Sequence, residues 1–283
     1  MNKLVVKYAI LASLLFSSVP VFADINVGVF PRRPPAMTHK LFKPLVQELE
    51  AKLGEKVNLI VERDFKSFWK GVKAKKYDLV HYNQYHYVKS HKELGYNVIV
   101  ANKEQGSNKL AGILSVRKDS GIKTIADLKG KKILFGGGKK AMVSYIAPTG
   151  ILKEAGLIEG RDYTVSFARN PPSTLIAVYN KAADAAASGD IVLKIKAVTS
   201  KIDASKIRVL AKSKSVAHLP WAVKDSMSKA KAKKIQSIMV NFKNTKSGKK
   251  VLKAAKVNEF QKINNSDYKS TRKIIKYVTG EKY

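Results

Sequence analysis

The 283-residue chain contains no cysteine. A disulfide framework and a lipid anchor on cysteine are therefore excluded, and stability has to come from a packed core alone. Acidic side chains are scarce: 21 Asp and Glu face 54 Lys and Arg, a formal net charge of +33. Long apolar runs are missing as well. The stretch Ala9–Phe16 near the N-terminus falls short of the roughly 20 apolar residues that a membrane span needs. Lys3 and Lys7 precede this stretch and Val21-Phe22-Ala23 follows it, which is the layout of a cleavable secretory signal peptide. Residues 1–23 are expected to be that signal, with a mature chain from Asp24 exported to a Gram-negative periplasm.

Signatures of several chemistries are absent too. The chain has no zinc-finger spacing, no RNA-binding motif, no His-Glu-x-x-His and no Gly-x-Ser-x-Gly elbow. Gly136-Gly137-Gly138-Lys139-Lys140 is glycine-rich but lacks the spacing of a nucleotide phosphate loop. His81, His86 and His91 stand five apart, which does not align them on one helical face. No catalytic residue, metal or other cofactor is expected. The positive charge is spread along the whole length, and lysine dominates over arginine, the residue preferred for bidentate phosphate and base contacts. Nucleic acid is therefore not an expected partner. The charge either keeps the surface solvated or draws small anions in over a distance.

What the chain does have is a 45% hydrophobic content arranged in alternating periods. Ile25–Phe30, Val57–Val61, Tyr77–Tyr82 and Val98–Ala101 read as strands, separated by helical patterns over Met37–Leu53, Phe65–Val72 and Gln84–Leu94. The alternation resumes with strands at Ala111–Arg117, Lys132–Phe135, Tyr163–Phe167 and Ala183–Ala187, and with helices over Ala141–Ala155 and Ser173–Lys181. Ile207–Ala211 and Ala222–Val223 read as strands returning to the first half, before a helical tail. Such alternation argues for α/β architecture. The expected division is a first lobe from 24–105 and 208–283, and a second from 106–207, with a ligand cleft between them.

Gly121-Ile122-Lys123-Thr124-Ile125-Ala126-Asp127-Leu128-Lys129-Gly130-Lys131-Lys132-Ile133 leads into a buried strand and a glycine-rich loop before a new helix. Ligands of open α/β sheets bind where a strand's carboxyl end feeds a helix N-terminus. This phrase, the first strand Ile25–Phe30, Tyr77-Asp78-Leu79-Val80-His81-Tyr82 and His218-Leu219-Pro220-Trp221-Ala222-Val223 together resemble the phosphate, phosphite and phosphonate-binding branch of ABC-transporter solute-binding proteins. The resemblance implies the two-lobed type II periplasmic-binding fold, each lobe a mainly parallel sheet flanked by helices. It also implies a monomer that captures a small anionic solute and delivers it to an inner-membrane permease. Relatives carry a Ser-Thr-Ser-Gly-like run at the second-lobe helix start, and Ala141-Met142-Val143-Ser144 stands in its place here.

The candidate ligand-binding residues follow from position. Ala141, Met142, Val143 and Ser144 would offer main-chain N–H groups. Across the cleft, Tyr82, Tyr85 and His86 would supply walls and Asn83 a donor. Phe65 offers an aromatic contact, although its spacing with Phe68 and Trp69 also fits a core stripe. Asp190 would accept from a protonated ligand or cap the next helix. Three other functions remain open at this point: a sensor acting on a receptor or kinase, an enzyme on the same scaffold, and a cationic surface-binding protein. If the charge steers anions, solute association should slow steeply between low and physiological salt while dissociation changes little, as stopped-flow kinetics would show.

Overall fold

The computed structural model describes residues 24–283, and the signal expected over residues 1–23 lies outside them. The first lobe is built from β1 (Ile25–Val29), α1 (Pro35–Leu53), β2 (Val57–Val61), α2 (Phe65–Lys73), β3 (Leu79–His81), α3 (Gln84–Leu94) and β4 (Asn97–Lys103). The chain then crosses through β5 (Lys109–Leu110) to β6 (Gly112–Arg117), β7 (Lys132–Phe135), α4 (Ala147–Glu154), β8 (Thr164–Phe167), α5 (Pro171–Tyr179), β9 (Ala185–Gly189), α6 (Lys196–Thr199) and β10 (Ile207–Lys212). It returns through β11 (Val216–Ala217) to β12 (Pro220–Val223), α7 (Lys229–Asn241), α8 (Lys246–Ala255), β13 (Glu259–Lys262) and α9 (Lys269–Thr279).

Strand order is β13-β4-β12-β3-β1-β2 in the first sheet and β10-β6-β9-β7-β8 in the second. The βα units run parallel, as β1 does with β2 and β3. Strands that follow a crossing run the other way: β12 is antiparallel to β3 and β4, and β6 to β9. The reason is geometric. A βα strand ends at the cleft, whereas a chain arriving from the other lobe enters its sheet from the cleft edge. The ribbon of β5 and β11, with Leu110 opposite Val216, ties the two crossings together.

Two expectations change here. Ile207–Ala211 does not return to the first lobe: β10 pairs antiparallel with β6, so that stretch is an edge strand of the second sheet. Its hydrophobic alternation was visible in the sequence, but its pairing partner lies about ninety residues away, beyond the reach of any local pattern. Helix α9, expected with the first lobe, packs on α3 of that lobe and on α4 of the second. Gly150 of α4 leaves room for Val278, and Lys153 donates to the Tyr277 carbonyl at 2.7 Å.

One apolar core fills the first sheet's face against α1, α7 and α8, around Phe42, Trp221 and Met239. A second runs from Phe68, Tyr77 and Tyr82 through the ribbon residues Leu110 and Val216 to Ile133, Met142 and Leu152 of the second lobe. The α5–α6 side of the second sheet has its own, with Leu175, Val178 and Val198. Tyr77 is held in the first lobe between two glycines. A Cβ on Gly28 would lie 2.6 Å from its ring, and one on Gly71 2.3 Å from its hydroxyl. That hydroxyl donates to Glu62 at 2.9 Å, so the ring cannot swing aside freely. Gly28→Ala should therefore cost about 1–3 kcal/mol through overpacking, read as a lower urea midpoint at unchanged slope.

Candidate functional site

In the first lobe the chain leaves β3 through Tyr82 and enters α3 at Asn83. Asn83 is the N-cap of that helix: its side-chain oxygen accepts from the His86 N–H at 2.9 Å and from His86 Nδ1 at 3.0 Å. Its amide nitrogen is left to reach outward, and it donates to the Lys140 carbonyl in the second lobe at 3.3 Å. The cleft is closed, with Asn83, His86, Met142 and Ser144 all buried. Phe65, at the start of α2, stacks on the His86 ring at 5.4 Å, and Trp69 packs on the same ring at 5.4 Å. Phe68 alone of that aromatic set is wholly core.

The second-lobe wall begins differently from the helix expected over Ala141–Ala155. Met142–Ile146 forms a single π-helical turn before α4, with Ile146 N–H reaching the Ala141 carbonyl at 3.0 Å. Such wide turns concentrate at functional sites. The three glycines before it are explained in part by packing. A Cβ on Gly136 would meet Pro171 Cα at 2.8 Å, and one on Gly137 would meet Ala141 Cβ at 2.8 Å. Val143 presses on Gly189 at the end of β9. The N–H groups of Met142, Val143 and Ser144 open the turn without helical partners. Lys139 pairs with Glu159 at 3.2 Å, while the Lys140 ammonium makes no ion pair among the described residues.

The structure thus brings Asn83 and His86, with Phe65 stacked on His86, against the segment that begins at Lys140, and it gives three other candidates surroundings or partners within the protein. The Tyr82 ring is fully buried among Phe68, Tyr87 and Tyr96, so it is core rather than wall. The Tyr85 hydroxyl is spent on the C-terminal tail, donating to Glu281 at 3.1 Å and lying 3.4 Å from the Tyr283 hydroxyl. Asp190 accepts from the Ala111 N–H at 3.1 Å and pairs with Lys212 at 2.8 Å. It caps no helix, and it pins the end of β9 to the crossing.

A polar cluster at the hinge end of the first lobe escaped sequence reasoning. The His81 ring stacks on Trp221 at 4.4 Å, and its Nδ1–H donates to the Pro220 carbonyl at 3.0 Å. Trp221 donates to Asn102 at 2.9 Å, Asn102 to Glu104 at 2.8 Å, and Arg32 to the same Glu104 oxygen at 3.4 Å. Burial pushes Glu104 up, yet the Arg32 charge, His218 and the Asn102 amide together hold it below its usual range. His218 accepts from the Leu219 N–H at 2.8 Å. In the sequence His81 stands out only as one of three spaced histidines and His218–Val223 only as part of a resemblance, while Arg32-Arg33 lies inside a proline-rich loop at the end of β1.

Two α/β lobes joined by two crossings, shut over the ends of their strands and over a helix start, define a solute-binding protein of the periplasmic type. The family described as ABC transporter, phosphonate, periplasmic substrate-binding protein matches residues 27–268, and the chain belongs to it. The phosphonates-binding periplasmic protein of Escherichia coli (strain K12) is 24% identical over 260 residues, 86% of this chain and 77% of that protein. PhnD1 from Prochlorococcus marinus (MIT 9301), solved in complex with methylphosphonate, has a TM-score of 0.74 at 19% identity, covering 89% of this chain and 97% of that one. XAC2383 from Xanthomonas citri, solved bound to ATP, has a TM-score of 0.78 at 12% identity, covering 91% and 97%. These likenesses show the fold. The family is periplasmic and serves transport, binding a small molecule for a membrane permease, and it is not a family of enzymes.

Burial pushes three imidazoles well below the ordinary 6.5: His81 and His86 to about 3 and His218 to about 4. Nearby positive charge adds to this, from Arg32 on His81 and from Lys140 and Lys89 on His86. The folded state therefore refuses protons that the unfolded chain accepts. Stability is complete above pH 6.5 and is lost as pH falls toward the folded values. Thermal midpoints should already drop between pH 6.5 and about 5.3, above the range where most carboxylates titrate. His86→Gln should flatten that slope.

Proposed function

We propose that this protein captures a small phosphonate- or oxyanion-like solute as a monomer, with the anion held at the Met142–Ile146 turn. The observation that carries this reading is the Asn83 amide bridging to the Lys140 carbonyl. It sets the head of α3 directly against a turn whose N–H groups and unpaired ammonium suit negative charge. Closure would then be a population shift: an anion touching both walls favours the shut state over the open one.

The solute differs from a bare phosphonate in what surrounds it. Ala141, Met142 and Val143 bring no hydroxyl donors, and Phe65 stacked on His86, with Trp69 tilted against the same ring, makes an aromatic wall. An anion that also carries an apolar part fits this lining. The Escherichia coli relative is named for binding phosphonates and PhnD1 was solved with methylphosphonate; the altered loop shifts the preference within that class toward larger substituents.

Thermal shift against methylphosphonate, larger alkyl- and arylphosphonates, phosphite, phosphate and alkylsulfonates tests the reading, since a ligand of the folded state raises its stability by mass action. A raised midpoint with at least one organophosphonate is expected. Replacing Ala141–Ser144 by Ser-Thr-Ser-Gly should strengthen methylphosphonate binding. Asn83→Ala should weaken organophosphonate binding by about 1–2 kcal/mol through the lost interlobe hydrogen bond. No response to any oxyanion in the set would remove the proposal.

A further inference from the structure

From the aromatic row on the first-lobe wall, cationic at both ends, we propose that the solute carries two anionic groups. One would sit at the Met142–Ile146 turn and the second at Arg32-Arg33, with a flat apolar spacer lying over Phe65. The inference rests on the phosphonate-like reading above and extends it to the far end of the ligand.

The row is defined by ring geometry. His86 stacks on Phe65 with centroids 5.4 Å apart, and Phe65 lies 6.2 Å from Phe30. The Arg32 guanidinium stands over the Phe30 ring at 5.4 Å. At the opposite end the charge of Lys140 acts on His86, and the Lys140 backbone is bonded to Asn83. A cation therefore closes the row at each end. Phe65 keeps 38% of its surface exposed, unusual for a phenylalanine among buried rings, so the middle of the row remains reachable.

The arginine end has more positive charge than the protein balances. Arg32 shares one Glu104 oxygen with Asn102. Arg33, half-buried beside it, has no hydrogen-bond acceptor or ion pair for its side chain among the described residues. The neighbouring Arg32 charge and burial push Arg33 down to about 10, and Glu104 offsets only part of this. A buried charge without a partner is costly. A guanidinium is the group best shaped to take a carboxylate or phosphonate in two parallel hydrogen bonds. Both arginines follow β1 at the cleft edge, where Phe30 N–H bonds the His81 carbonyl, so they share the site's rim. An anion there compensates the pair, and a planar spacer gains offset stacking on Phe65.

Calorimetric titration with methylphosphonate, phenylphosphonate and 4-phosphonobenzoate separates the contributions. The carboxylate should make 4-phosphonobenzoate bind about tenfold tighter than phenylphosphonate at low salt. Arg33→Gln should collapse that ratio toward one, while Phe65→Ala should weaken both aromatic ligands together and keep the ratio. Raising salt to physiological strength on the wild type should also shrink the ratio, an independent readout should Arg33→Gln fail to fold. A wild-type ratio near one overturns the inference, as does a ratio that neither Arg33→Gln nor salt reduces. Methylphosphonate binding without any gain from the carboxylate leaves the phosphonate reading standing alone. Failure of every oxyanion to bind ends both.

Discussion

Everything about this fold follows from the chain passing between lobes at one edge. The ribbon of β5 and β11 holds both crossings side by side, and its residues Leu110, Val216 and Ala217 are buried in a core shared by the two lobes. That position dictates strand direction. The βα strands must end at the cleft and the returning strands must start there. It also dictates where chemistry can happen, because helix starts and loops gather at the same edge. The hinge is thus an apolar seam, and the polar cluster of buried His81, Asn102 and His218 with Glu104 adjoins it where His218 follows β11.

Scarcity of acid has a structural counterpart. Several of the few carboxylates accept from backbone N–H groups, and some of these also pair with a basic side chain, as Asp64 does with Arg63 and Asp190 with Lys212. Asp64 caps α2, Asp127 takes two N–H groups before Leu128, and Asp162, Asp184 and Asp190 each fasten a loop or a strand end. Each such bond is charge-assisted. Between Asp225 and Glu259, α7 and α8 present lysines to solvent with no acidic residue at all.

The parts of the fold that local physics determines could be read from the sequence. Gln84–Leu94 and Lys132–Phe135 have their expected bounds because a cap, a glycine stop or a short apolar run marks them. What required long-range pairing could not be read: β10 in the second sheet, β13 beside β4, and α9 across both lobes. The site divides in the same way. Asn83 stands out as a donor after a strand's carboxyl end, and Phe65 as an aromatic after the second strand. Tyr82 and Tyr85 sit beside Asn83 in sequence, but one side chain turns into the core and the other toward Tyr283, an orientation that spacing does not reveal. Arg32 and Arg33 lie between prolines, where no periodicity exists to give them a face.

The two tryptophans occupy very different surroundings. Trp221 is wholly buried, clamped on His81 and bonded to Asn102, whereas Trp69 is only partly buried and lies against the His86 ring of the cleft wall. The natural emission of this protein is therefore the sum of an insulated chromophore and an indole next to the place where a solute would rest. Replacing the first with phenylalanine would leave a single native probe whose intensity and colour follow the opening and closing of the lobes, with no dye attached.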